Sequence, residues 1–247
     1  MYGLDDGPKT LEESLAMLRL AAANGTTDIV ATPHANLQFA FQPDLINQRL
    51  EELQRVCNGS PRIYSGCDFH LTWDNLQDAL AHPNKYTINH HNYLLVEFSD
   101  MWIFHNTEEI FASLRSRGII PVITHPERNS LLQRRLPSLT RWIEQGALIQ
   151  VTAQSYLGRF GRSAQKFSRQ LMQLGLVHFV ASDAHDTQHR PPDLGEAFTW
   201  VAKHYGQPTA QRLFVDNPKA ALEGRPLPPV TQSSLPQPRR WFEFWKR

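Results

Sequence analysis

The chain has 247 residues, 41% hydrophobic and 20% charged, with a formal net charge of +1. Length allows one α/β barrel or two small domains, and the even composition favours one; the balanced charge gives no general reason to expect nucleic acid or an acidic membrane as partner. Only two cysteines occur, Cys57 and Cys67, which excludes a disulfide framework and suits a reducing compartment.

The chain opens on a loop in which Asp5-Asp6-Gly7 is turn-like. Thr10-Leu11-Glu12-Glu13 has the form of a capping box, so a helix is expected from there to about Ala23, where Asn24-Gly25 stops it. Asp28 to Thr32 reads as the first strand and ends at Pro33-His34. Pro43 to Val56 is helical, with Leu45, Ile46, Leu50 and Leu53 on one stripe. A strand from Arg62 to Cys67 ends at Asp68, a short helix follows over Leu76 to Leu80, and a strand from Tyr93 to Val96 ends at Glu97. The spacing then predicts a helix from about Thr107 to Arg117 and a strand from Ile119 to Thr124, which runs into His125-Pro126-Glu127-Arg128. A helix over Leu136 to Gln145, a strand over Ala147 to Val151, and a helix over Ser163 to Leu174 come next. The last strand, Val177 to Ala181, leads into Ser182-Asp183-Ala184-His185, and three helices near Leu194 to His204, Pro208 to Val215 and Pro218 to Leu222 close the series.

Strands that alternate with helices and are apolar enough to be buried on both faces indicate a parallel sheet with helices outside. No Gly-x-Gly-x-x-Gly or Walker loop follows any strand, which favours a (β/α) barrel over a nucleotide-binding open sheet. The chain begins with the loop and helix that should follow a strand; the expectation is a barrel open there, or a sequence without its first strand. Residues 1–227 are read as the barrel domain, and 228–247 as a Pro/Ser-rich linker with a basic, aromatic tail from Arg239 to Arg247. That tail suits a membrane surface or a partner, or folding back over the barrel. No apolar run approaches the roughly 18 residues of a membrane-spanning helix and the amino end has no apolar signal segment, so a cytoplasmic protein is expected.

In a parallel barrel, chemistry gathers at the C-terminal strand ends. His34, Asp68, Glu97, His125, Asp183 and His185 all fall there. Taken singly, each has an ordinary reading: a hydrogen-bonded loop histidine, a helix cap for Asp68 or Asp183, an ion-pair partner for Glu97. Jointly, imidazoles and carboxylates suit two or more Mn, Fe or Zn ions. Asp183 and His185 are two residues apart, so an extended chain would turn both toward one pocket. Arg128 and Arg190 follow closely and could hold phosphate oxygens in bidentate fashion, or make exposed salt bridges. His70, His82, His90, His91, His105, His178, His189 and His204 read as ordinary histidines, and no Cys-x5-Arg cradle exists.

Thr32-Pro33-His34, Thr124-His125-Pro126-Glu127-Arg128, Ser182-Asp183-Ala184-His185 and the opening Asp5-Asp6-Gly7-Pro8-Lys9-Thr10 resemble the PHP (polymerase and histidinol phosphatase) superfamily. The resemblance is closest to its capsule- and exopolysaccharide-locus branch, the manganese-dependent protein tyrosine phosphatases, and runs from Leu4 to about Leu227. It implies a distorted (β/α)7 barrel, its first strand missing from this chain, with up to three metal ions, Mn²⁺ first and Fe or Zn as alternatives. Asp6, His34 and His185 would hold one ion, Glu97 and His125 a second, Asp68 would bridge toward a third, and Asp183 would bind that third. Arg128 and Arg190 match substrate-phosphate positions, and His125, Asp183, His185 and Arg128 carry the catalytic roles.

The implied reaction is in-line hydrolysis of phosphotyrosine by metal-activated water, on the Tyr-rich tail of a membrane-associated tyrosine kinase that controls polysaccharide export. The enzyme would be cytoplasmic or peripheral to the inner membrane. The alternatives are a small-molecule phosphomonoesterase of the same superfamily and a degenerate, non-catalytic phosphotyrosine-binding barrel. Two departures motivate the last: the family's first strand ends in His-x-His, and this sequence starts after that point, so a clipped start is the preferred explanation. The second is Asp68, where the family usually has Glu.

Overall fold

All six apolar runs form parallel strands, and after a break each of the first two is followed by a short second strand beyond its expected end. The computed structural model describes residues 1–229, and the expected basic, aromatic tail lies outside the described residues. The first run forms β1 (Asp28–Ala31) and is followed by β2 (His34–Ala35); the second forms β3 (Arg62–Ser65) and is followed by β4 (Asp68–His70). β1 pairs with β3 and β2 with β4, so the two runs bend side by side. Pro33 has no N–H to give the ladder, yet its carbonyl accepts from Asp68 N (3.2 Å) and bridges the break. At the matching bend a Cβ on Gly66 would lie 2.6 Å from Val30 Cγ1, so no side chain fits.

The remaining strands are β5 (Tyr93–Glu97), β6 (Ile120–Thr124), β7 (Leu148–Thr152) and β8 (Phe179–Ala181). The main sheet has six strands in the order β2-β4-β5-β6-β7-β8, all parallel. Each helical crossover returns the chain to the next strand along, the usual outcome of short right-handed connections. In chain order the helices are α1 (Leu11–Ala23), α2 (Pro43–Val56), α3 (Trp73–Ala81), α4 (Thr107–Ser116), α5 (Ser130–Gln133), α6 (Leu136–Glu144), α7 (Ala153–Tyr156), α8 (Gly161–Gln173), α9 (Gly195–Tyr205), α10 (Gln207–Gln211) and α11 (Asn217–Leu222). The capping box opens α1 as expected: Thr10 Oγ1 accepts from Glu13 N, and Glu13 Oε2 accepts from Thr10 N. α3 starts at Trp73 rather than Leu76, because Thr72 Oγ1 accepts from Asn75 N and caps it. The short α5 and α7 escaped the sequence pattern, since four residues carry no helical periodicity.

Side chains alternate between two cores, as a strand's period of two requires. Leu94 and Val96 of β5, Ile123 of β6, Ile149 and Val151 of β7, and Val180 of β8 pack under the outer helices. Tyr93, Leu95, Val122 and Phe179 fill the lower barrel interior, joined by Val30 and by Leu227 from the chain's exit. The inward register continues upward into polar side chains, and this positions the site. Among the described residues no ladder joins β8 to β1 or β2. A cavity of about 1290 Å³ lies there, lined by Ile29, Val30, Phe179, Val180, Phe198 and Phe214 among others. The barrel is open on that side.

Candidate metal and phosphate site

His34 is the hub. Its backbone N–H donates to Asp5 Oδ2 (3.0 Å), while Asp5 Oδ1 accepts from Gly7 N (3.0 Å), which ties the opening loop to β2. The neighbouring Asp6 carboxylate thereby reaches both His34 Nε2 (3.4 Å) and His185 Nε2 (3.5 Å). On its other side, His34 Nδ1 lies 3.6 Å from both Asp68 Oδ2 and Glu97 Oε2. Ladder register accounts for this: His34 sits opposite Asp68, and His70 opposite Glu97.

His125 reaches the same mouth from β6, 3.8 Å from Asp68 and 3.7 Å from Glu97. The turn that carries it is built with care. His125 N–H donates to Gln150 O and Arg128 N–H to His125 O, both 2.9 Å. His125 adopts φ +33°, a left-handed conformation uncommon outside glycine. Glu127 points the other way and is fully buried. Its Oε1 accepts from Thr152 N (2.9 Å) and Ser155 Oγ (2.7 Å), pinning the turn to the end of β7. His125 and Arg128 are thus left to face the mouth.

Arg128 and Arg190 both donate to Asp183 Oδ2. Arg190 returns to this point because Asp186 Oδ1 accepts from the backbone N–H groups of Gln188, His189 and Arg190 and closes the loop after β8. Asp183 and His185 line one mouth as expected, but not from an extended chain. Asp183 has φ +51°, so its carboxylate turns to the arginines while His185 turns to Asp6. His185 Nδ1 lies 3.1 Å from Asp183 O; donating there leaves Nε2 with its lone pair toward Asp6.

His70, which reads as ordinary from the sequence, lies beside this cluster but in neither ligand group. His70 shares the inward register of Asp68 on β4, and its Nδ1 lies 3.5 Å from Glu97 Oε2. The same two-residue spacing applied to Asp68 would have found it.

Burial and the neighbouring charges together set the protonation of these groups. Burial, with the Glu97 charge beside it, raises the Asp68 pKa against the pull of His125 and His34. Glu97 is lowered: burial opposes ionisation, but His70, His125 and His34 outweigh it. For His125 burial works against the charged form, yet the facing Asp68 carboxylate and the Asp183 charge push it up to about 9. Asp183 is lowered, because His125, Arg190 and Arg128 overcome its burial.

A cation fits this donor set. The separations of 3.4 to 3.8 Å exceed hydrogen bonds, which run about 2.7–3.2 Å. Atoms that share an ion at about 2.0–2.2 Å lie roughly 3–3.5 Å apart, close to what is seen. Among the described residues two groups bring their ligand atoms within 4.8 Å of one another, Asp6-His34-His185 and His34-Asp68-Glu97. Buried His34 Nδ1 and Asp68 Oδ1 have no hydrogen-bond partner. A neutral imidazole offers one lone pair, so His34 serves one group at a time. If it joins Asp6 and His185, His125 remains for Asp68 and Glu97, with His70 also beside Glu97.

Residues 1–223 match the family model described as capsular polysaccharide synthesis, CpsB/CapC. A Staphylococcus aureus relative bearing the name CapC is 36% identical over 204 residues, 80% of this chain and 79% of its own length. The tyrosine-protein phosphatase YwqE of Bacillus subtilis is 32% identical over 207 residues, covering 82% of this chain and 81% of YwqE. The tyrosine-protein phosphatase CpsB of Streptococcus pneumoniae is 30% identical over 231 residues, covering 90% and 95%. A solved structure from work on YwqE and CpsB, described as unique metal-dependent tyrosine phosphatases, superposes with a TM-score of 0.83 at 28% identity over 95% of each chain.

Proposed function

The chain belongs to the CpsB/CapC family of capsular polysaccharide synthesis proteins, and from that premise we propose a phosphatase that removes phosphate from tyrosine side chains of a membrane-associated kinase. It is a metal-dependent tyrosine-protein phosphatase, a phosphoric monoester hydrolase of the PHP superfamily. The substrate segment is the kinase's Tyr-rich tail, and the resident ion is Mn²⁺. The catalytic unit is residues 1–227. We assign it to the cytoplasm, where its two free cysteines stay reduced. Among the described residues no helix is long and apolar enough to cross a membrane.

The observation that carries the site assignment is the convergence of His34, His125, His185, Asp6, Asp68 and Glu97 beside an arginine pair. Asp6, His34 and His185 would hold one ion, and Asp68, Glu97 and His125 another, while Asp183, expected to bind a third, meets Arg128 and Arg190 instead. Bound divalent cations supply Lewis-acid charge neutralisation and activated water. Arg128 and Arg190 grip the equatorial phosphate oxygens, where charge builds in the transition state. Asp183 aims both guanidinium groups at one point before substrate arrives. Such pre-organisation spares the site the cost of ordering two long side chains during the reaction. The departing phenolate, with a pKa near 10, needs little help to leave.

The test compares a Tyr-phosphorylated peptide with histidinol phosphate and sugar phosphates, with Mn²⁺ and after chelation. Selective, Mn²⁺-dependent turnover of the peptide is expected, and His125→Ala should abolish it while the thermal melt persists. Preference for the small phosphates would overturn the protein-substrate reading. Tight peptide binding without turnover would mark a binding barrel instead.

A further inference from the structure

We propose that Phe160 is a positioning residue for the phosphate-binding guanidinium of Arg128; this rests on the reading of Arg128 as a phosphate clamp. Arg128 Cζ lies 4.4 Å from the centroid of the Phe160 ring, within the range of a cation–π contact. The ring holds one side of the guanidinium while Asp183 takes its N–H edge. Among the described residues a ring lies over Arg128 but none over Arg190.

The loop that presents Phe160 is built to hold it still. Gly158 (φ +83°) and Gly161 (φ +86°) flank it in left-handed conformations that glycine adopts without steric cost. Gly161 N donates to Gly158 O (3.0 Å), and Arg159 N donates to Gln154 O (3.1 Å). The Arg159 side chain reaches Glu196 on α9 (2.7 Å), and Gln165 Nε2 donates to Tyr156 O (3.0 Å). Two turns, a salt bridge and a side-chain bond thus converge on the segment from Tyr156 to Gly161.

An ordinary packing role is the competing explanation. Phe160 is only half-buried, and it belongs to none of the apolar clusters of the described residues. A core phenylalanine would be in one. Its position makes sense as a plate under a cation whose long arm would otherwise sample many rotamers.

The test measures KM and kcat for an aryl phosphate, and Ki for inorganic phosphate, with the Mn²⁺-loaded full-length protein. Phe160→Leu should raise KM and Ki about three- to tenfold and leave kcat within about twofold. Phe160→Tyr should restore wild-type values. In an Arg128→Ala background, Phe160→Leu should have no further effect. A Phe160→Leu protein with wild-type KM and Ki would overturn the proposal. So would an undiminished effect in the Arg128→Ala background, since the ring would then act elsewhere. If Arg128→Ala leaves KM and Ki unchanged, the clamp reading itself fails and takes the proposal with it.

Discussion

His125 Nε2 and Asp68 Oδ2 face each other at 3.8 Å although the residues come from different strands of the sheet. With Asp68 opposite it and Asp183 nearby, the imidazole stays protonated up to about pH 9 although burial opposes the charge. An imidazole binds a metal only in its neutral form, so a cation must displace that proton.

Metal binding at this site should therefore release protons. The folded pKa lies above the unfolded value near 6.5. In the metal-free protein the stabilising contribution is fully present below about pH 6.5 and is lost as pH rises through about 9. Metal affinity runs the other way, climbing roughly tenfold per pH unit over that window and levelling above it. Titration calorimetry of Mn²⁺ in two buffers of different ionisation heat, near pH 7, reads the proton count directly. Binding heats that do not depend on the buffer would show that His125 is already neutral.

Arg128→Lys tests bidentate recognition. A lysine keeps the charge but loses the planar fork, and charge-assisted hydrogen bonds contribute about 1.5–3 kcal/mol each. KM for an aryl phosphate should rise roughly ten- to a hundredfold with the melting temperature little changed. Arg190→Lys should behave alike, since both guanidinium groups meet at Asp183 Oδ2. An unchanged KM in both would mean that phosphate is held elsewhere.

How far the sequence could reach depended on whether a signal was local. Alternation and apolar runs located the strands, because a strand buried on both faces must be apolar along its length. The strand ends then picked out His34, Asp68, Glu97 and His125. The breaks at Pro33 and Gly66 were not legible, since they depend on two strands bending together. Asp183 turns its carboxylate to Arg128 and Arg190 from a positive φ, and nothing in Ser182-Asp183-Ala184-His185 announces that. The role of Glu127 was hidden too. Nothing in His125-Pro126-Glu127-Arg128 announces that the fold buries the Glu127 carboxylate against the end of β7.

His70 offers a sharper test of register. It stands opposite Glu97 in the ladder, with Nδ1 3.5 Å from the carboxylate. Partners that orient a metal ligand typically change affinity ten- to a hundredfold when removed, by order of magnitude. His70→Ala should weaken Mn²⁺ binding by roughly that factor, read by calorimetry independently of turnover. His82→Ala, on the exposed α3 end where it contacts Asp78, should not. Equal affinities in the two variants would leave His70 as surface filling.

Glu127 separates architecture from chemistry. Its Oε1 accepts from the Thr152 N–H and the Ser155 hydroxyl, and the whole side chain is excluded from water. Glu127→Ala leaves both donors buried without an acceptor, at about 1–3 kcal/mol per group, and opens a void besides. A loss of roughly 2–4 kcal/mol is expected, which lowers the melting temperature by about 5–15 °C in a chain this long. Glu127→Gln keeps an acceptor oxygen in place and should recover most of that loss. Because the turn from His125 to Arg128 hangs on this anchor, the Ala variant should also bind Mn²⁺ more weakly, and the Gln variant should not. If Glu127→Ala melts like the wild type, the turn is held by its backbone bonds alone and His125 owes its left-handed conformation to something else.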